Sequence, residues 1–66
     1  MSIVKVIELI SEGNSIEDAI KFAVTEASKT LNHIKQVNVE HIEALVDKNQ
    51  VTKFRVNVKI SFVVER

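Results

Sequence analysis

Lys53, Arg55 and Lys59 share one parity within the run Lys53-Phe54-Arg55-Val56-Asn57-Val58-Lys59-Ile60-Ser61-Phe62-Val63-Val64, so on a β-strand they form a basic stripe along one face. Such a stripe can recognise an anionic group, a task suited to arginine's planar fork, or it can pair with carboxylates on a neighbouring strand. Glu40, Glu43 and Asp47 make a loose acidic group that could attract a cation such as calcium. Calcium takes about six to eight oxygens, and without an ordered calcium loop only several copies meeting at a symmetry axis would supply them. The chain itself therefore gives no metal site. His41, beside Glu40 and Glu43, reads either as a ligand contact or as a solvated strand histidine. His33 is expected near a helix C-terminus, where imidazole interacts well with the helix dipole. There is no nucleophile elbow, glycine-rich phosphate loop or Cys–His pairing, so the chain reads as a binding protein and not as an enzyme.

The elements that must carry these groups follow from periodicity. Phe54, Val56, Val58, Ile60, Phe62 and Val64 alternate with Arg55, Asn57, Lys59 and Ser61, which predicts a long strand with one buried and one polar face. Ile3 to Ile10 reads as a first strand, rich in Ile and Val. Ser11-Glu12-Gly13-Asn14 reads as a turn in which Gly13 and Asn14 tolerate positive φ. Ser15 suits an N-cap, with Glu17 and Asp18 in the first turn, and a helix is expected from about Ile16 to His33. Its apolar stripe is Ile16, Ala19, Ile20, Ala23, Ala27, Leu31 and Ile34. Phe22 falls off that stripe and reads as an isolated exposed aromatic or as a subunit contact.

A second strand is expected from about Lys35 to Asp47, and its apolar phase changes between Val39 and Ile42. Either a β-bulge near Glu40-His41 restores one face, or both faces become buried toward the hairpin end. Asp47-Lys48-Asn49-Gln50 then turns into the third strand, with Asn49 left-handed. The fold class is α+β, in the order β-α-β-β: a three-stranded antiparallel sheet, spatial order 1-3-2, packed on one helix. One helix covers only part of one sheet face, so the other face and both edges ask for partners.

Sixty-six residues make one domain, residues 1–66, and a chain this short buries only about 60% of its unfolded surface. Small folds usually add disulfides, a metal or oligomerisation. With no cysteine, oligomerisation is the device that remains. Nine acidic and nine basic residues give no net charge to recruit nucleic acid. No apolar run approaches the roughly 20 residues that span a bilayer, and no signal-peptide pattern opens the chain, so a cytoplasmic location is expected.

Lys5-Val6-Ile7-Glu8-Leu9, Ser15-x-Glu17-Asp18-Ala19, Glu26-Ala27-Ser28-Lys29-Thr30 and Phe54-Arg55-Val56-Asn57-Val58-Lys59-Ile60-Ser61-Phe62-Val63-Val64-Glu65 together resemble the dodecins, over essentially the whole chain. The resemblance implies a hollow homododecamer of cubic symmetry that binds flavin, riboflavin or FMN, in pairs at subunit interfaces for storage. Where flavin-binding members carry a ring-stacking tryptophan at the start of strand two, this chain has Gln36. Where they carry a glutamine that hydrogen-bonds the flavin edge, it has Arg55. The implied ligand-binding residues are Gln36, Asn38, Arg55 and Asn57, all on the polar sheet face. The alternative is a dodecin-like shell without flavin, structural in role or binding cations or another anionic ligand.

Overall fold

The computed structural model describes residues 1–64; Glu65, the last residue of the strand-three motif, and Arg66, the end of the expected domain, lie outside the described residues. The elements are β1 (Ile3–Gly13), α1 (Ile16–Ala27), β2 (Ile34–Asp47) and β3 (Gln50–Val64). β3 is the longest strand and lies at the centre of the sheet, in the order β1-β3-β2, antiparallel to both neighbours. This is the expected α+β architecture.

Its helix-facing parity carries the core. Val56, Val58 and Ile60 are fully buried against Ala19, Ala23 and Ala27 of α1, with Ile7, Leu9, Ile20, Leu31, Ile34, Val37 and Val39 packed around them. Alanine at three successive turns lets the helix lie close to the sheet. Only six apolar side chains are buried among the described residues, and three are alanine, while Val4, Val6, Ile10, Ile42, Val46 and Val51 are each more than half exposed. The molecule measures 51 × 20 × 13 Å, a slab with more apolar surface than one helix can cover.

β1 runs three residues beyond its expected end at Ile10. Ser11, Glu12 and Gly13 stay in the ladder opposite Val56, Arg55 and Phe54, because the long central strand still offers partners there. Gly13 consequently does not adopt the positive φ expected of a turn glycine. Its role is spatial: a Cβ at this position would lie 2.7 Å from the Ala19 backbone nitrogen. Ser15 caps α1 as its sequence indicated, its Oγ accepting the Asp18 N–H at 3.0 Å.

The helix ends six residues short of His33. The Thr25 hydroxyl donates to the Lys21 carbonyl at 3.0 Å and the Ser28 hydroxyl to the Thr25 carbonyl at 2.7 Å. Such local bonds compete with helical continuation, and residues 28–30 form a turn. His33 then adopts φ 61°, and its carbonyl accepts the Val63 N–H at 3.1 Å, which returns the chain to the sheet. His33 therefore does not sit on the helix C-terminus, and the dipole role expected of it falls away. Leu31 and Ile34 reach the core from this connection and from β2, not from the helix.

The phase change in β2 is a bulge. Val39 pairs with Val58 and His41 with Asn57, so Glu40 is the extra residue, and Ile42 returns to the helix-facing parity opposite Val56. The hairpin end is exposed, with Leu45 half-buried, so the alternative of two buried faces does not occur. Asp47 pairs with Gln50, leaving Lys48 and Asn49 as a two-residue loop with φ 52° and 64°. Positive φ at both positions is the turn whose twist matches paired strands.

Candidate ligand-binding face of the sheet

The sheet face turned away from α1 is built in cross-strand rows set by register. In the order β1–β3–β2 they are Val6–Ser61–Gln36, Glu8–Lys59–Asn38, Ile10–Asn57–His41 and Glu12–Arg55–Glu43. Successive rows on one face are about 7 Å apart. Rows that combine an aliphatic and an amide group thus alternate with charged rows. The first kind offers apolar surface with amide edges, and the second offers ion pairs.

The charged rows are internally matched. Arg55 donates from Nε and Nη2 to Glu12 Oε2 at 3.1 and 2.8 Å, with both side chains about 40% exposed. The bond to Glu12 and its charge raise the Arg55 pKa above the ordinary value; partial burial opposes this and Glu43 adds to it. One row on, Lys59 Nζ lies 3.5 Å from Glu40 Oε1, and the Asn38 amide donates to Glu40 Oε2. The bulge residue thus bridges a cation and an amide. The basic stripe is engaged by carboxylates, but Arg55 finds its partner on β1 and not on β2. Glu40 and Glu43 are spent on Lys59 and beside Arg55, while Asp47 lies at the hairpin end, so the acidic group expected from the sequence is dispersed. No group of three or more His, Asp or Glu side chains placed to hold a metal occurs among the described residues.

Gln36, Asn38, Arg55 and Asn57 all lie on this face, but one chain does not bring them to one point. Gln36 stands opposite Ser61 and Arg55 opposite Glu43, six residues apart along β3, or about 20 Å. A ligand touching both positions has to lie between copies of the chain. Asn57 is half-buried, and its Oδ1 is shielded and has no hydrogen-bond partner. A shielded acceptor of this kind calls for a donor from outside the chain. Three participants were not visible as site residues in the sequence: Glu12, which holds Arg55, and Val6 and Ile10, which put exposed aliphatic surface beside the amides. Their signal is the even parity of Val4, Val6, Glu8, Ile10 and Glu12, readable once β1 is carried past Ile10.

Phe22 is 52% exposed and borders an open groove of about 310 Å³ with Glu12, Gly13, Asn14, Asp18 and Lys53. A second shallow cleft, about 420 Å³, lies at the opposite end of the sheet beside Lys5, His33 and Phe62.

A protein-family model described as Dodecin matches residues 3–65. The chain belongs to the dodecin family. Among solved structures it is similar to an arginine-to-alanine mutant of the Thermus thermophilus dodecin, with TM-score 0.93 and 27% identity over the full length of both chains. The Streptomyces coelicolor dodecin aligns with TM-score 0.92 and 26% identity, covering 98% of this chain and 94% of that one. The Streptomyces davaonensis dodecin, at 18% identity and TM-score 0.91 over 98% and 97% of the chains, shares the fold. No curated protein sequence matches the chain. The departures at Gln36 and Arg55 therefore occur within a dodecin fold, on its open sheet face. No helix among the described residues is long and apolar enough to cross a membrane.

Proposed function

We propose that this dodecin is a cytoplasmic homododecameric shell that binds and stores a small planar ligand between copies of its open sheet face, with flavin, riboflavin or FMN, as the ligand class. It carries out no reaction of its own. The observation that supports this reading is the row Ile10–Asn57–His41, where an unpartnered acceptor stands next to exposed aliphatic surface. A flavin ring has apolar faces and an imide N–H on its edge, and it meets both features. Asn57 Oδ1 would accept from that edge, the Gln36 amide would bond to a second polar edge, and Val6 and Ile10 would cover ring area. Burial of such area is the main attraction, at roughly 25 cal/mol per Å².

A second reading is favoured by a specific departure. Gln36 provides no aromatic face, and stacking contributes about 0.5–1.5 kcal/mol beyond area burial. With Arg55 also tied to Glu12, the same shell would then form without holding flavin, in a structural role or with cations or another anion as its ligand. Riboflavin fluorescence, titrated with protein at micromolar concentration, separates the two. Saturable quenching supports flavin storage, and unquenched fluorescence overturns it in favour of the second reading. Light scattering tests the shell itself, which a single-chain mass would refute. If Gln36→Trp introduces or strengthens quenching, the location of the pocket stands.

A further inference from the structure

The two cations that stand between β1 and β2 on the open face are both already engaged. Arg55 is held by Glu12 through two N–H bonds, with Glu43 on its other flank. Lys59 has Glu8 opposite it on β1 and Glu40 at 3.5 Å. Four carboxylates therefore surround two cations. An anionic group arriving at this face has to displace Glu12 from Arg55 and then sit beside Glu43 and Glu8, a like-charge arrangement that disfavours it. A neutral ring breaks none of these contacts. Arginine free of such a partner would do the opposite, since its fork matches a phosphate bidentately.

We propose that Glu12 is a specificity-determining residue: by holding Arg55 it makes this face accept an uncharged planar ligand and reject the phosphate ester of the same ligand. The proposal rests on the reading that the ligand lies against the open face. Glu12 stays an acceptor for a guanidinium that its own bond and charge keep cationic, so the pair persists across the working pH range. Glu43 supports it from the opposite strand and partly takes over if Glu12 is lost.

Riboflavin and FMN differ only by a phosphate and are matched probes. The native protein is expected to bind riboflavin at least about tenfold more tightly than FMN, and Glu12→Gln/Glu43→Gln is expected to shift that ratio about tenfold toward FMN, with riboflavin affinity little changed. Glu12→Gln alone should shift it in the same direction, by about threefold, and serves if the double variant does not assemble. Native protein that takes FMN as tightly as riboflavin overturns the proposal, as does an unchanged ratio in the variants. If neither flavin binds the native protein, the flavin reading fails, and inorganic phosphate followed at the Arg55 Nε–H resonance decides the proposal. A saturable shift in the Glu12→Gln variant that is absent from the native protein supports it; the same response in both overturns it.

Discussion

Gly13 shows how a residue can be placed correctly and its role misjudged. Its single hydrogen side chain reads as freedom to turn, yet it sits in an extended ladder, and its function is to let Ala19 approach. Gly13→Ala puts a methyl 2.7 Å from the Ala19 nitrogen and 3.0 Å from its Cα, both backbone atoms that cannot step aside. We expect a loss of about 1–3 kcal/mol, read as a lower midpoint in urea unfolding at unchanged slope. Arg55 was visible as a cation on the polar face, but its partner was hidden by the same error. Ending β1 at Ile10 put Glu12 in a turn, where it has no cross-strand neighbour. Because the Arg55 pKa is raised, the sign of its contribution to stability is fixed: it is fully present below the ordinary value of 12.5 and lost only as pH rises through the raised one. Salt, which screens exposed pairs, and not mild alkali, is what loosens this contact.

α1 was legible at its start and not at its end. The Ser15 cap and the acidic first turn are local signals, and the cap bond is the one a Ser15→Ala change removes. That substitution should cost about 1 kcal/mol, seen as a lower thermal midpoint, whereas Ser15→Asp should leave the midpoint nearly unchanged. The C-terminus lacked a glycine stop, so the apolar spacing of Leu31 and Ile34 suggested continuation. Those residues do reach the core, but from an irregular connection that hydroxyl-to-carbonyl bonds and the left-handed His33 divert from the helix. The bulge in β2 was readable because side-chain alternation has a period of two, and one inserted residue leaves an unmistakable phase change. What alternation could not show is that Glu40, the inserted residue, would bridge Lys59 and Asn38.

The whole molecule has a core too small for its surface. The sheet order and the open face followed from strand lengths and the single helix, whereas the ligand site did not, because Gln36 and Arg55 lie about 20 Å apart on one chain and can meet only across copies. On the proposed assembly, folding and association are linked, so the thermal midpoint should rise with protein concentration over a hundredfold range. Val6→Lys together with Ile10→Lys puts two charges into the aliphatic part of the open face. Light scattering should then show the mass falling toward the 7.5 kDa single chain. A full-size shell from that double variant would mean that this face does not bear on assembly.

The two outer strands differ in how they end the sheet. β2 is broken by register shifts at Ile34/Gln36, Val39/His41 and Leu45/Val46, irregularities that keep a stray strand from docking along it. β1 pairs with β3 without a break from Ile3 to Gly13, so its outer edge is straight, and from Ile3 to Ile10 only Lys5 and Glu8 interrupt the aliphatic residues. That segment has the composition of a cross-β zipper. A chain released from its neighbours is thus a template for fibrils, and enclosure of β1 is a form of protection as well as of construction. The Val6→Lys/Ile10→Lys protein carries two new charges on that segment and should stay soluble as single chains. A variant loosened elsewhere, such as Gly13→Ala, should develop thioflavin T fluorescence on prolonged dilution, and a proline at Val6 should suppress it.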